Sequence, residues 1–479
     1  MTHSAQPEPR IGGDPPRPFM DSLLRGLGRL VLQAYYRQIE VTGSNHLPES
    51  GPVIVVANHF NSLVDGVVIT SFLPRMPRFL AASTIWDFTP IRPILNAAGV
   101  VPLFRAQDGR KVKGSLPATF AKAAELLRSG GVLAIFPEGK SHNEPSLLPL
   151  KTGTARIALE ADSTTDLLCV QIVPVALTFE AKNRFRSRTL VEIGPPITAS
   201  PEQIEAYYSK NPAVRSGAVK QLTSQISECL QALAPRHETW DEARLIGRAA
   251  EIISQPGPND AQHDGWATLN TTRRDLSRGY AVVRETHPEQ TAALGQDLAE
   301  YDNLLRATAL RDGQVVNTPP ASVAPFIAKA SVRFLFGLPI VFIGFVLNWP
   351  PYRVLLALSH WRDLDKRSTW SIFAGFFLFP IFWTVAAIIS GYIGANLWGG
   401  SAFWISSFSV LIAGPVSGKL MLGYLDLYSE TLAEARAWTR LRGANNLSDS
   451  LIEKRRVILE KLRALVEAYR ADEALQEPD

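Results

Sequence analysis

Val53-Ile-Val-Val-Ala-Asn-His-Phe-Asn-Ser-Leu-Val-Asp65 decides how the rest of the chain is read. The β-branched run Val53 to Val56 has the composition and length of a buried core strand, and Asn58-His59 follows where such a strand opens into a loop. Open α/β sheets keep their ligands at that end of their strands. His59 and Asp65 are six positions apart, which at about 3.6 residues per turn points them to different faces of one regular helix. His59 is therefore expected in the loop, and Asp65 in the first turn of a helix running through Gly66-Val-Val-Ile-Thr70. From there the carboxylate can accept the proton of one imidazole nitrogen and leave the other free to take a proton from a substrate hydroxyl. A strand-capping histidine and a helix-capping aspartate are the plainer reading of the same residues.

Around this stretch, 479 residues imply two or three units, one large enough for a full α/β core. Hydrophobic residues make up 46% and charged residues 20%, and the apolar content gathers toward the C-terminal end. A net charge of +4 is too weak to argue for nucleic acid but suits an anionic membrane surface. Cys169 and Cys229 match no metal or redox spacing and fit a reducing compartment. The eight histidines form no clustered ligand pattern, so neither metal nor cofactor is expected. Residues 1–19 read as a disordered tail, polar and proline-rich without a secretory pattern, and the N-terminal half is expected on the cytoplasmic side.

Residues 20–37 read as an amphipathic helix, with Leu23, Leu27, Leu30 and Val31 on one stripe and Arg25 and Arg29 on another side. Lipid interface and domain surface are both open to it, and the interface reading puts the arginines against anionic headgroups. Residues 38–235 alternate strand-like and helix-like runs, which argues for an α/β domain built on a mixed sheet flanked by helices. The strands are expected at Ile39–Thr42, Val53–Val56, Arg78–Ala81, Val132–Phe136, Gln171–Leu177 and Leu190–Ile193. Helices are expected at Val67–Leu73, Leu116–Arg128, Gly153–Glu160 and Val214–Ala232.

Three further segments carry chemistry. Ala98-Gly-Val-Val-Pro-Leu-Phe-Arg105 ends in an arginine whose planar fork suits a phosphate, or a surface ion pair. Ala134-Ile-Phe-Pro-Glu-Gly-Lys-Ser-His142 is a strand turning at Pro137 and Gly139, which presents Glu138, Lys140, Ser141 and His142 on the rim of His59 if the sheet is parallel. Gly139 allows close backbone approach, and the exposed amides suit an anion. Lys151 precedes a helix opening at Thr152-Gly153, a setting for phosphate or for a solvated loop charge.

Asn58-His59 with Asp65, Gly99 to Arg105, Phe136-Pro-Glu-Gly-Lys-Ser-His142 and Ile172-Val-Pro-Val175 stand in the order of the four blocks of the glycerolipid acyltransferase family, which residues 38–235 resemble. Members esterify glycerol 3-phosphate or lysophosphatidate from acyl thioesters. Here five residues separate His59 from Asp65, one more than in the commoner form. That spacing, with Ser-His after Phe-Pro-Glu-Gly, is similar to the branch holding the fungal membrane glycerol-3-phosphate acyltransferases and their bacterial relatives. The resemblance implies His59 as general base, Asp65 as its orienter, and Arg105 with Glu138, Gly139, Lys140 and Ser141 on the phosphoglycerol. It also implies Val173, Pro174 and Val175 on the acyl side, with acyl-CoA or acyl carrier protein as co-substrate. Lys151 joins the phosphate set on electrostatic grounds alone.

Residues 236–323 read as a cytoplasmic helical insert, helical at Glu238–Ser254 and Leu294–Ala309. Residues 324–428 read as a membrane domain. Ser371–Asn396 and Ala402–Leu425 are long and uncharged enough to span a bilayer as a hairpin turning at Trp398-Gly-Gly-Ser401. Residues 334–361 have positive charge on both flanks and prolines at 350 and 351, so a re-entrant pair is expected, a plain third span being the alternative. Residues 429–479 read as cytoplasmic helices, one over Leu451–Tyr469. An integral membrane acyltransferase with its catalytic domain on the cytoplasmic side is the leading reading. Its rivals are a lysophosphatidate-specific enzyme, a hydrolase using the same pair, and a lipid-binding scaffold. The expected partners are phosphoglycerol acceptor, acyl thioester and bilayer, with a homo-oligomer left open and nucleic acid not expected.

Overall fold

Parallel strands buried on both faces need unbroken apolar runs, and the strand Val53–Ala57 is buried at every residue. In the computed structural model it lies at the centre of a seven-stranded sheet. The described residues are 18–87, 89–103, 115–162, 168–255, 265–317, 324–360, 367–443 and 445–476. They fall into two units, residues 1–234 with 364–369, and residues 235–363 with 370–479.

The strands of the first unit are β1 (Gln38–Thr42), β2 (Val53–Ala57), β3 (Arg78–Ala82), β4 (Val101–Leu103), β5 (Val132–Ile135), β6 (Gln171–Phe179) and β7 (Arg188–Ile193), in the order β1-β7-β6-β2-β5-β3-β4. All neighbours are parallel except β6 and β7, so the sheet is mixed, as the alternation of runs implied. Its helices are α1 (Pro18–Tyr35), α2 (Leu63–Phe72), α3 (Arg92–Ala97), α4 (Ser115–Arg128), α5 (Gly153–Ala161), α6 (Pro201–Tyr208) and α7 (Pro212–Leu233). Ile54 and Val56 enter a core shared with Leu127 of α4, Ile157 of α5 and Leu222 of α7. Val53 and Val55 are equally buried and point to the opposite face, as strand alternation requires.

Two registers place the site. Val56 pairs with Ile135 and Ala57 with Val175, so the carboxyl ends of β2, β5 and β6 open on one rim. Pro174 interrupts nothing in β6. The Gly194 N–H donates to its carbonyl at 2.8 Å, so the missing N–H faces the side where the β7 ladder, which begins at Val175, has not yet started.

Residues 20–37 were expected to be helical, and α1 covers most of that range, but its arginines do not match the interfacial reading. Arg25 donates to the carbonyls of Leu73 and, at 3.1 Å, Pro74, while Arg29 Nε donates to the Ser71 carbonyl at 2.8 Å. Both neutralise carbonyls that the C-terminus of α2 leaves unpaired. At the start of α1, Asp21 takes a two-pronged ion pair from Arg78 of β3 at 2.9 and 3.0 Å. Phe19, Leu23, Leu27 and Leu30 remain exposed.

The second unit is helical: α8 (Trp240–Ser254), α9 (Trp266–Thr286), α10 (Pro288–Ala307), α11 (Asp312–Val316), α12 (Ala324–His360), α13 (Arg367–Trp398, whose first three residues belong to the first unit), α14 (Ala402–Gly443) and α15 (Asn445–Gln476). Ile252, Leu298, Leu305, Leu441 and Ile458 share one core in it, pinned by Arg455 on Asp312 at 3.0 Å, which also accepts the Tyr301 hydroxyl at 2.7 Å. Residues 236–323 and 429–479 thus supply helices as expected, with α9 an element the sequence reading left unassigned.

The re-entrant pair expected over 334–361 is corrected. One helix, α12, runs unbroken through Pro339, Pro350 and Pro351, and among the described residues three helices are long and apolar enough to cross a membrane: Gly337–Ser359, Arg367–Trp398 and Ala402–Arg442. Prolines are tolerated in apolar helices where neighbours hold the backbone. Gly344 and Gly418 bring α12 close to α14, where an added Cβ meets the Ser417 carbonyl at 3.1 Å and Asn348 at 3.0 Å respectively. Buried Asn348 then donates to the carbonyls of Gly344 at 2.9 Å and Gly414 at 3.3 Å and accepts from Trp383 at 3.2 Å. The helix that holds the span read as 402–425 runs on to Gly443.

Arg29→Ala strips the Ser71 carbonyl of its charged donor, and is expected to cost about 1–3 kcal/mol of stability, read as a lower thermal midpoint of the full chain in detergent.

Candidate active site

Asn58 follows β2 directly, and its side chain extends the ladder by one rung. Its amide donates to the Leu177 carbonyl at 2.9 Å and accepts the Leu177 N–H at 2.7 Å. The backbone is thereby released from the sheet, and His59 stands above the rim. Its ring stacks on Phe136 with centroids 4.1 Å apart and planes at 8°, and its Nδ1 lies 2.9 Å from Asp65 Oδ2. Asp65 sits in the first turn of α2, as the spacing predicted. With Nδ1 engaged by a carboxylate it carries the proton, and Nε2 is the basic nitrogen. Among the described residues Nε2 has no partner, and the side chain keeps 18% of its surface open.

Asp65 is fully buried, and its Oδ1 has no partner among the described residues. Burial pushes its carboxyl up from the ordinary aspartate range, while the hydrogen bond and charge of His59, the Asn61 N–H and the charge of Lys182 pull it back. Asn61 N–H donates to the same Oδ2 at 2.7 Å. Lys182, just beyond β6, donates to the carbonyls of Phe60 at 2.8 Å and His142 at 3.3 Å, joining the two loops of the rim.

Glu138 plays a different part from the phosphoglycerol contact the resemblance implied. Its side chain has no exposed surface. It accepts the His59 N–H at 2.7 Å, the Leu148 N–H at 2.7 Å and His142 Nε2 at 2.5 Å. His142 Nδ1 accepts the Glu144 N–H at 3.1 Å, which fixes its tautomer, and its own N–H donates to the His59 carbonyl at 3.2 Å. A carboxylate with these donors repels a phosphate and fixes the main chain of His59.

Gly139 turns at φ 77°, a left-handed conformation suited to glycine, and its open side faces the stem of Lys151, 3.5 Å from where a Cβ would stand. Lys140 and Lys151 are exposed, and Ser141 is half-buried. The Lys151 N–H donates to the Pro137 carbonyl at 2.7 Å, so the two lysines flank one turn beside the N-terminus of α5, a setting that favours an anion. Arg105 lies outside the described residues. Val173, Pro174 and Val175 are buried in β6 between β2 and β7, where they supply core. Among the described residues no three His, Cys, Asp or Glu side chains gather as metal ligands.

Of the residues predicted from sequence, the structure brings together His59, Asp65, Glu138, Gly139, Lys140, Ser141 and Lys151 on one rim. His142 stands there too, as its place after Phe136-Pro-Glu-Gly implied, and the structure adds Asn58, Asn61 and Lys182. Asn58 and Asn61 lie inside the stretch Val53 to Asp65, whereas Lys182 sits in an unremarkable loop with no sequence signal.

Residues 38–178 match the family model described as Acyltransferase. The chain is similar to Glycerol-3-phosphate O-acyltransferase 2 of Saccharomyces cerevisiae, 26% identical over 293 residues, covering 57% of this chain and 38% of that one. It is similar to 1-acyl-sn-glycerol-3-phosphate acyltransferase alpha of Bos taurus, 28% identical over 172 residues, covering 34% and 55%. The chain thus spans 38% to 55% of the length of these relatives. The solved 1-acyl-sn-glycerophosphate (LPA) acyltransferase of Thermotoga maritima is 21% identical over 43% of this chain and 78% of that one, at a TM-score of 0.31.

Because burial raises the folded-state carboxyl of Asp65 above its unfolded value, about 3.9, its contribution to stability is complete below that value and lost as pH rises through the folded one. Asp65→Asn removes this dependence. Its thermal midpoint relative to the native chain should therefore climb as pH rises through that window, which melting curves across pH measure.

Proposed function

We propose that the acyltransferase-family domain over residues 38–178 transfers an acyl chain from a thioester to the hydroxyl of glycerol 3-phosphate. The observation that carries this reading is the imidazole of His59, held through Nδ1 by a buried aspartate with Nε2 unengaged among the described residues of the rim. In the reaction, Nε2 takes the proton of the acceptor hydroxyl as its oxygen attacks the thioester carbonyl. The tetrahedral intermediate then expels the thiolate, which recovers that proton from the imidazolium. A thioester is already activated, so no nucleophilic side chain is required. Lys140 and Lys151 lie where a phosphate on the acceptor is attracted, and Arg105 belongs to the same set by family resemblance.

Coenzyme A is the donor carrier in this reading, with acyl carrier protein as the alternative. Lysophosphatidate is the second acceptor, favoured by the likeness to the bovine 1-acyl-sn-glycerol-3-phosphate acyltransferase. We place the chain in a bilayer through its three long apolar helices, with the catalytic unit on the cytoplasmic side, where soluble thioester and phosphoglycerol meet a lipid product.

His59→Ala is expected to lower transfer from labelled acyl-CoA to glycerol 3-phosphate by about a hundredfold to ten-thousandfold, with the circular dichroism of the chain unchanged. Retained turnover removes the general base. Faster transfer to lysophosphatidate selects the second acceptor, and free fatty acid released without any acceptor makes the protein a hydrolase.

A further inference from the structure

Asn61 is fully buried, and an amide so placed is stable only with partners. Its Nδ2 donates to the Tyr36 hydroxyl at 3.0 Å, and its Oδ1 accepts the Ser368 hydroxyl. Its carbonyl accepts the Val64 N–H at 3.1 Å and the Thr369 hydroxyl at 3.3 Å. Its N–H donates to Asp65 Oδ2 at 2.7 Å, the oxygen that also meets His59 Nδ1. Tyr36 is 1% and Ser368 0% exposed. The phenol is held well above its usual range by burial and stays a neutral hydroxyl. Ser368 and Thr369, in the first turn of α13, belong to the first unit.

The next residue shows why such anchorage is needed. Ser62 adopts φ 49° and ψ −130°, a backbone conformation that L side chains rarely take. Strain of this kind persists only where the surroundings over-determine it. The Asn61 side chain, wedged between Tyr36 and Ser368, supplies that constraint. Without it Ser62 can relax, the Asn61 N–H turns away from Asp65, and Oδ2 loses the donor that aims it at the imidazole.

We propose that Asn61 is the positioning residue of the His59–Asp65 pair, held in register by Tyr36 just beyond α1 and by Ser368 in the first turn of α13. As regards turnover, this rests on the reading of the pair as general base and orienter. The geometry of the pair can be read without substrate.

The test uses the full chain in detergent micelles, comparing the native protein with Asn61→Leu, Tyr36→Phe and Ser368→Ala. The first readout is the downfield proton resonance of His59 Nδ1–H, assigned by its loss in His59→Ala. The second is kcat and KM with acyl-CoA and glycerol 3-phosphate. Asn61→Leu should lose the resonance and about tenfold or more in kcat with KM within about twofold, since small misplacements of a reacting group are felt in the rate. Ser368→Ala and Tyr36→Phe should move both readouts the same way by less, and they decide the matter if Asn61→Leu does not fold. A lower melting temperature with resonance and kcat both retained makes Asn61 merely structural and overturns the proposal. Loss of the resonance in a protein that acylates no acceptor supports the positioning role while removing the functional reading.

Discussion

Two buried carboxylates on one rim govern this structure. A carboxylate withdrawn from water is costly by several kcal/mol unless donors surround it. Asp65 and Glu138 both have side chains without exposed surface. Their donors are drawn from the loops that carry the chemistry. Asp65 takes His59 Nδ1 and the Asn61 N–H, and Glu138 takes the His59 N–H, His142 and the Leu148 N–H. His59 is thus gripped at its ring by one acid and at its backbone by the other, which leaves Nε2 without a partner among the described residues and the ring little freedom to turn.

The sheet makes this grip possible. Parallel pairing of β2 with β5 and β6 brings three strand ends to one edge, where Asn58 finishes the ladder and Lys182 ties the emerging loops by their carbonyls. The flanking helix α1 is fastened at several points along its length. Arg25 and Arg29 reach the end of α2, Asp21 holds Arg78, and Arg186 donates to the carbonyls of Gln33 and Ala34. The arginines facing the domain leave α1 with an outer side of Phe19, Leu23, Leu27 and Leu30.

Some expectations failed because a residue's partner lies far along the chain. For Arg25 and Arg29 lipid headgroups and the domain surface are both open when only α1 is in view, since nothing in residues 20–37 announces the carbonyls of residues 71–74. Glu138 joins the phosphoglycerol set through the family resemblance, and only the fold of residues 138–148 around it shows it enclosed. Asn348-Trp-Pro-Pro351 read as a turn because proline breaks helices in water. Inside an apolar bundle with Asn348, Trp383 and Gly414 in contact, the helix continues.

Local rules sufficed wherever the deciding contact was near in sequence or repeated along an element. The buried run Val53 to Val56, the separation of His59 from Asp65, the sharp turn after Ile135 and the long apolar stretches near the C-terminus are of that kind, because strand burial, helical phase and bilayer thickness act over a few residues or one continuous segment. The tertiary structure alone decided that Tyr36, Asn61 and Ser368 meet, that Lys182 bridges two loops, and that Val173 and Val175 are core. Hydrogen-bond geometry and exclusion of water depend on which strand ends become neighbours, and that order, β6 beside β2 beside β5, joins residues more than a hundred positions apart.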